Sequence, residues 1–128
     1  MTPKKRILIV DDEPAVLNVV ARMAERLGYK VVTTLNGREA LRILEKEDIE
    51  LLLLDVVLRD MTVVELANRS HSFHGKRKII FMSGHFPQLE INLPRSIPFL
   101  QKPFTVEELK TALEKVEQDP NPDRAEAS

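Results

Sequence analysis

The chain of 128 residues is long enough for one compact domain but not for two. Its net charge of -1 at pH 7 does not indicate a surface made for nucleic acid or for an anionic membrane. Cysteine is absent, which excludes disulfides and thiolate metal sites and fits a reducing compartment. No apolar stretch approaches the roughly 20 residues that span a bilayer. The apolar run after the basic N-terminus stops at Asp11, too early for a signal peptide core. We therefore expect a cytoplasmic protein.

Strand-like and helix-like patterns alternate along the chain. Four consecutive apolar residues at 7–10, three of them β-branched, predict the first strand. Pro14 suits the first turn of the next helix, whose apolar residues recur at helical spacing until Gly28. In order, the predicted elements are a strand at 7–10, a helix at 14–27, a strand at 29–35, a helix at 38–46, a strand at 51–55, a helix at 62–70, strands at 78–82 and 97–100, and a last helix that a capping box at 105–108 begins.

Three stretches fall outside this alternation. Between Phe86 and Ser96, two prolines leave room only for a short or irregular fourth helix. Residues 119–128 contain two more prolines and no large apolar residue, which predicts a disordered C-terminal tail. The basic run at 76–78 is interpreted as a solvated loop, with a docking patch as the alternative.

Alternating strands and helices predict an α/β fold in which a parallel sheet carries helices on both faces. Right-handed crossovers and the chain length favour the flavodoxin-like (βα)5 doubly wound arrangement, with strand order 2-1-3-4-5. The four leucines at 51–54 fit a central strand that is buried on both faces. Such a strand ends at the carboxyl edge of the sheet, where open α/β sheets bind their ligands.

Polar residues follow the predicted strands at this edge. Asp11 and Asp12 follow the first strand, Asp55 ends the third, Ser83 follows the fourth, and Lys102 lies near the end of the fifth. Crowded carboxylates need counter-ions, and Mg²⁺ with oxygen ligands would serve together with the lysine. The chemistry that uses these groups is phosphoryl transfer to a carboxylate, with Asp55 as the nucleophile. Asp11 and Asp12 would hold the metal, and the Ser83 hydroxyl would steady a phosphoryl oxygen.

Each residue also has a simpler interpretation. Asp11 and Asp12 would serve as caps of the first helix. Ser83 before a glycine would be a turn residue. Phe99 in the fifth strand would be an ordinary core aromatic.

Four short motifs resemble those of the receiver domain of bacterial two-component response regulators, the CheY-like family. They are Val10-Asp11-Asp12-Glu13, Leu54-Asp55, Met82-Ser83-Gly84 and Leu100-Gln101-Lys102-Pro103-Phe104. The resemblance covers essentially the whole predicted folded part and implies a receiver domain at residues 1–118. It implies these roles: Asp55 as phosphoacceptor and Mg²⁺ ligand, Asp11 and Asp12 as the acidic pair around Mg²⁺, the Val57 backbone carbonyl as a further ligand, Ser83 as switch hydroxyl and phosphate contact, Phe99 as aromatic switch, Lys102 as phosphate-stabilising lysine, and Pro103 after a cis peptide bond.

The resemblance implies a phosphorylation-activated switch rather than an enzyme with an external substrate. A sensor histidine kinase or a histidine phosphotransfer protein would supply the phosphoryl group. The output would be binding to another protein, as a monomer or as a phosphorylation-dependent homodimer. Met1 and the polar tail favour a complete, stand-alone chain.

Two other functions remain as alternatives. One is a degenerate receiver that binds partners without being phosphorylated; the complete set of acids, serine and lysine argues against it. The other is a phosphohydrolase of the haloacid dehalogenase type, which usually has a second aspartate two residues after the nucleophile, where this chain has Val57. The stretch 58–63 also departs from the receiver pattern, because the usual proline and glycine are missing.

Overall fold

The computed structural model describes residues 4–73, 77–84 and 97–118. The predicted irregular helix at 86–96 and the predicted tail at 119–128 lie outside these residues. The elements within them are β1 (Arg6–Val10), α1 (Pro14–Arg26), β2 (Lys30–Thr34), α2 (Gly37–Lys46), β3 (Leu51–Asp55), α3 (Val63–Phe73), β4 (Lys78–Ser83), β5 (Phe99–Gln101) and α4 (Val106–Gln118).

The five strands form one parallel sheet in the order β2-β1-β3-β4-β5, which confirms the predicted doubly wound topology. The leucine strand β3 lies at the centre, with β1 and β4 on its two sides. Val10 pairs with Leu54, and Asp55 pairs with Met82. The register therefore brings the residues that follow β1 and β3 to the same edge of the sheet.

Both faces of the sheet are covered, because successive side chains of a strand point to opposite sides. Leu51 and Leu53 join one core with α1 and α4. Leu52 and Leu54 join a second core with α2 and α3. All four leucines are almost fully buried, so the carboxyl end of β3 is held rigidly from both sides.

Hydrogen-bonded polar side chains cap the starts of α2 and α4, and the sequence predicts the cap of α4. At α4, the Thr105 Oγ1 accepts from the Glu108 N–H at 3.1 Å, and the Glu108 carboxylate accepts from the Thr105 N–H at 2.9 Å. The Asn36 side chain accepts from the Glu39 N–H at 2.8 Å at the start of α2. The prediction for the third helix is too short, because α3 continues past Ser70 to Phe73.

The interpretation of the basic run 76–78 as solvated is wrong for Arg77, which is only 2% exposed. Its guanidinium donates to the backbone carbonyls of Ile49 at 2.7 Å, Ser70 at 2.6 Å and Leu44 at 3.1 Å. Burial lowers the pKa of this guanidinium below its ordinary value. Arg77 therefore joins α2, α3 and the segment before β3 on the side of the sheet where the strands begin.

Among the described residues, no helix is both long and apolar enough to cross a bilayer.

Candidate functional site

Three carboxylates meet at the carboxyl edge of the sheet. Asp11 follows β1, Asp12 comes next, and Asp55 ends β3. One oxygen from each of the three lies within 4.8 Å of the others. Asp11 and Asp55 are buried and Asp12 is half-buried, so the cluster opens to solvent on the Asp12 side. The first residue of α1 is Pro14 and its N-cap is Glu13, so neither Asp11 nor Asp12 occupies the N-cap position.

Lys102 bridges the two buried acids. Its Nζ donates to Asp11 Oδ2 at 2.8 Å and to Asp55 Oδ2 at 2.9 Å. The other oxygen of each carboxylate accepts a backbone N–H at 2.9 Å, from Glu13 to Asp11 Oδ1 and from Val57 to Asp55 Oδ1. Both carboxylates are therefore fixed in orientation by a charge-assisted bond and a main-chain bond.

Burial and hydrogen bonding have opposing effects on the pKa values of Asp55 and Lys102. Burial raises the pKa of the Asp55 carboxyl above its ordinary value, and the Asp11 charge adds to the rise, whereas the bonds from Val57 and Lys102 oppose it. Burial alone would lower the pKa of Lys102, but its bonds to Asp11 and Asp55 outweigh burial and raise it. Lys102 therefore remains a cation at neutral pH.

The loop between β5 and α4 positions Lys102. The Lys102 N–H donates to the Ser83 carbonyl at 2.7 Å, which ties this loop to the end of β4. The Lys102–Pro103 peptide bond is cis. Phe104 is buried in the core beneath α1 and α4 and anchors the far side of the loop.

The remaining predicted site residues lie around this cluster. Ser83 is buried at the end of β4, one residue beyond Met82, the partner of Asp55 in the sheet. Val57 is exposed and follows Asp55 by two residues. Phe99 lies half-buried in β5 against the core formed with α2 and α3. The roles that the resemblance implies for these residues stay predictions, and the position of Phe99 fits an ordinary core residue equally well.

Two contacts in the loop after Asp55 were not predicted from the sequence. The Arg59 Nε lies 3.3 Å from Asp12 Oδ2. The Asp60 carboxylate accepts the backbone N–H groups of Gly37 at 3.0 Å and Arg38 at 2.9 Å, in the first turn of α2. Burial alone would raise the pKa of Asp60, but these two bonds hold it below its ordinary value. The only hint of these contacts in the sequence was the charged pair Arg59-Asp60, in a stretch that lacks the usual proline and glycine.

A cavity of about 790 Å³ lies beside the carboxylates. Its charged lining consists of Asp12, Glu13, Asp55, Arg59 and Lys102. The apolar lining comes chiefly from one face of α1 and from the loop before α4: Val16, Val19, Val20, Met23, Pro103 and Phe104.

Because the charge of Asp55 is disfavoured in the folded protein, replacing Asp55 with asparagine should stabilise the metal-free protein. A carboxyl whose pKa is higher in the folded than in the unfolded protein lowers the stability as the pH rises from the ordinary pKa to the raised one. Asparagine does not titrate, so the variant avoids this loss. We expect a gain of up to about 1 kcal/mol at pH 7, since the bonds from Val57 and Lys102 offset much of the cost of burying the charge. Urea unfolding in the presence of a chelator should show this gain shrinking as pH falls towards 4. A variant less stable than the wild type at pH 7 would contradict the electrostatic account.

Comparison with known proteins agrees with this geometry. Residues 7–114 match the family model of the response regulator receiver domain. The response regulator receiver protein CpdR of Brucella abortus is 34% identical over 116 residues, which cover 88% of this chain and 96% of CpdR. The response regulator TrrA of Thermotoga maritima, solved in complex with Mg²⁺ and BeF, superimposes with a TM-score of 0.78 at 27% identity, over 88% of this chain and 98% of TrrA.

Some relatives are longer than this chain. The transcriptional regulatory protein CrdR of Helicobacter pylori is 32% identical over 117 residues, which cover 88% of this chain and 54% of CrdR. Residues 7–114, which the family model matches, contain the three acids, the central strand and the lysine loop. The family match, the fold and the arrangement of the site together show that this chain belongs to the response regulator receiver domain family of two-component signal transduction.

Proposed function

We propose that this protein is a phosphorylation-activated switch that accepts a phosphoryl group on Asp55. The observation that carries the proposal is the shared lysine, whose Nζ lies 2.8 Å from Asp11 Oδ2 and 2.9 Å from Asp55 Oδ2. One oxygen of Asp12 lies within 4.8 Å of an oxygen of each of these two carboxylates. A purely structural ion pair needs one acid for each cation, whereas Lys102 is shared by two buried acids with a third carboxylate next to them. Such a cluster costs stability and is typical of a functional site.

The three carboxylates fit a divalent cation. Hard oxygen ligands at the edge of a cavity suit Mg²⁺, which keeps several waters and takes one or two carboxylates with phosphate oxygens. We propose Asp11, Asp12 and Asp55 as its side-chain ligands, and the backbone carbonyl of Val57 as the main-chain ligand that the family implies. When bound, Mg²⁺ would neutralise charge on the phosphoryl oxygens.

The transfer itself requires one nucleophilic oxygen. A carboxylate oxygen of Asp55 attacks the phosphorus of a phosphohistidine, the new P–O bond forms, and the P–N bond breaks with its electron pair going to the imidazole nitrogen. The Val57 N–H and the Lys102 ammonium fix the Asp55 carboxylate at 2.9 Å each, so the nucleophile is oriented before the donor arrives. Lys102 then stabilises the charge of the acyl phosphate.

Ser83 and Phe99 are proposed to carry the change of state. Ser83 ends the strand beside β3, and its hydroxyl would hydrogen-bond an oxygen of the phosphoryl group on Asp55. Phe99 pairs with Phe81 between β5 and β4, two residues before Gln101, which pairs with Ser83. A displacement at the end of β4 would therefore reach β5 through adjacent sheet positions and shift an equilibrium between two states that exist before phosphorylation.

The apolar cavity is the proposed docking place of the phosphodonor. Val19 on α1 is 55% exposed and lines the same cavity as Asp55, so an apolar partner surface can contact both. The occupant that this continuity favours is a helix of a histidine kinase or histidine phosphotransfer protein, with its phosphohistidine facing Asp55. The output would be a further protein–protein contact, without turnover of an external substrate.

Intact-mass measurement after incubation with acetyl phosphate and Mg²⁺ tests this function. We expect one added phosphoryl group on the wild type, none after chelation of Mg²⁺, and none on Asp55→Asn. No adduct on the wild type, together with no response to beryllofluoride, would overturn the proposal and favour a degenerate receiver. An adduct that persists in Asp55→Asn would assign the acceptor elsewhere, and rapid multiple turnover of phosphate esters would favour a phosphohydrolase.

A further inference from the structure

The two cations at the site are held very differently. Lys102 is 13% exposed at its side chain and makes two bonds shorter than 3 Å to the buried acids. Arg59 is 88% exposed at its side chain and lies 3.3 Å from Asp12, the acid on the solvent side. Displacing Lys102 would leave two buried carboxylates without the counter-ion that they share, whereas displacing Arg59 would break one solvated ion pair. Arg59 is therefore the cation that an entering ion can replace at little cost.

The position of Arg59 follows from the residues around it. Immediately after it, Asp60 binds the two N–H groups that begin α2. Met61 lies on Gly37, so closely that a β-carbon added there would be 2.7 Å from Met61 Cγ. Before it, the Val57 N–H is bonded to Asp55. The loop is thus fastened on both sides of Arg59, and these attachments hold the arginine backbone beside the acidic cluster.

We propose that Arg59 is a built-in counter-ion of Asp12 that competes with the divalent cation for this carboxylate. This inference rests on the proposed function, because it concerns the same metal site. In the metal-free protein the Arg59 guanidinium offsets the charge of Asp12, because Lys102 is bonded to Asp11 and Asp55 instead. A cation that binds Asp12 must first displace Arg59, so the arginine raises the metal concentration at which the site fills. The protein would therefore need a higher metal concentration to accept a phosphoryl group.

The size of the effect follows from the solvation of the pair. Exposed ion pairs contribute at most about 1 kcal/mol, so removing the competitor should strengthen metal binding about two- to five-fold. The contact is local, and charges more than about 8 Å away are largely screened at physiological ionic strength. A direct competitor and a distant positive charge are therefore distinguishable at that salt concentration.

Calorimetric titration of the full chain with Mg²⁺, at 0.15 M ionic strength, tests the inference through the dissociation constant. Arg59→Gln should bind Mg²⁺ about two- to five-fold more tightly than the wild type. Arg42→Gln, an equal change of charge at an exposed position of α2, should bind as the wild type does. Thermal unfolding without metal should show a small loss for Arg59→Gln, no larger than the free energy of the lost ion pair, and almost no change for Arg42→Gln. A larger loss for Arg59→Gln would assign the effect to folding and not to competition.

Equal dissociation constants for Arg59→Gln and the wild type would overturn this inference and leave the proposed metal site intact. Weaker binding by Arg59→Gln would also overturn it, because the arginine would then support the site. Tighter binding by Arg42→Gln to the same extent would assign the effect to net charge and overturn it as well. Absence of Mg²⁺ binding in all three proteins would overturn the metal site of the proposed function together with this inference.

Discussion

Replacing Lys102 with alanine should slow the phosphorylation of Asp55 by acetyl phosphate about 10²- to 10³-fold, the range expected when one preorganised charge-stabilising donor is removed. The lysine has two functions that alanine cannot replace. It orients Asp55 through the 2.9 Å bond. In the proposed function it would also offset the charge that develops on the phosphoryl oxygens. The rate of adduct formation by intact mass, at saturating Mg²⁺, measures the effect directly.

The same substitution should also weaken the fold. Asp11 and Asp55 would remain buried without the ammonium that joins them, and removing one partner of a fully buried pair costs roughly 3–5 kcal/mol. Solvent reaches the Lys102 side chain, so we expect a smaller loss, about 2 kcal/mol in urea unfolding without metal. Mg²⁺ should restore part of this stability, because the proposed metal site exists only in the folded state.

Lys110→Ala is the matched control for both measurements, because Lys110 is an exposed lysine on α4 in the same part of the chain. It should retain the wild-type rate and stability. If Lys102→Ala were phosphorylated at the wild-type rate while remaining folded, the proposed function of the lysine would be wrong.

Replacing Arg77 with methionine should lower the free energy of unfolding by about 3 kcal/mol, with no direct effect on the site. Two effects oppose each other here. Methionine removes the cost of a buried guanidinium, which often makes replacement of buried ion pairs by apolar residues nearly neutral. However, the partners of Arg77 are three backbone carbonyls, which stay in place when the side chain changes. Each carbonyl left without a donor costs about 1–3 kcal/mol, so the loss should exceed the gain.

Arg42→Met serves as the control, since Arg42 is exposed on α2. It should change stability by no more than about 0.5 kcal/mol, as is usual for surface substitutions. A loss of less than about 1 kcal/mol for Arg77→Met would show that water replaces the guanidinium at the three carbonyls. Urea unfolding followed by circular dichroism measures both variants.

The leucine strand and Arg77 show which parts of the structure the sequence predicts. Four consecutive leucines fit the middle of a two-sided sheet, and the residue that follows such a strand lies at the carboxyl edge of the sheet. The same argument places Asp11 and Lys102 at this edge. The strand order additionally requires the preference for right-handed crossovers and the chain length. The prediction for Arg77 is wrong because a basic run is usually solvated, and no neighbouring residue indicates that the guanidinium binds carbonyls 28 and 33 residues earlier in the chain.

The loop after Asp55 was unpredictable for a related reason. Asp60 resembles an ordinary loop acid in sequence, and its partners are two backbone N–H groups, 22 and 23 residues away, which any residue other than proline would offer. The pairing of Arg59 with Asp12 depends on that anchoring. Contacts to the main chain leave no trace in the partner's residue type, so only the folded structure reveals them.

Identification of the phosphorylated residue tests the central claim most directly. The protein is incubated with acetyl phosphate and Mg²⁺ and then treated with borohydride, which reduces an aspartyl phosphate to homoserine. Peptide mass spectrometry then locates the homoserine. The proposed function predicts homoserine at position 55 and nowhere else, with none in Asp55→Asn or in protein treated without Mg²⁺. Homoserine at another aspartate, with position 55 unchanged, would contradict it.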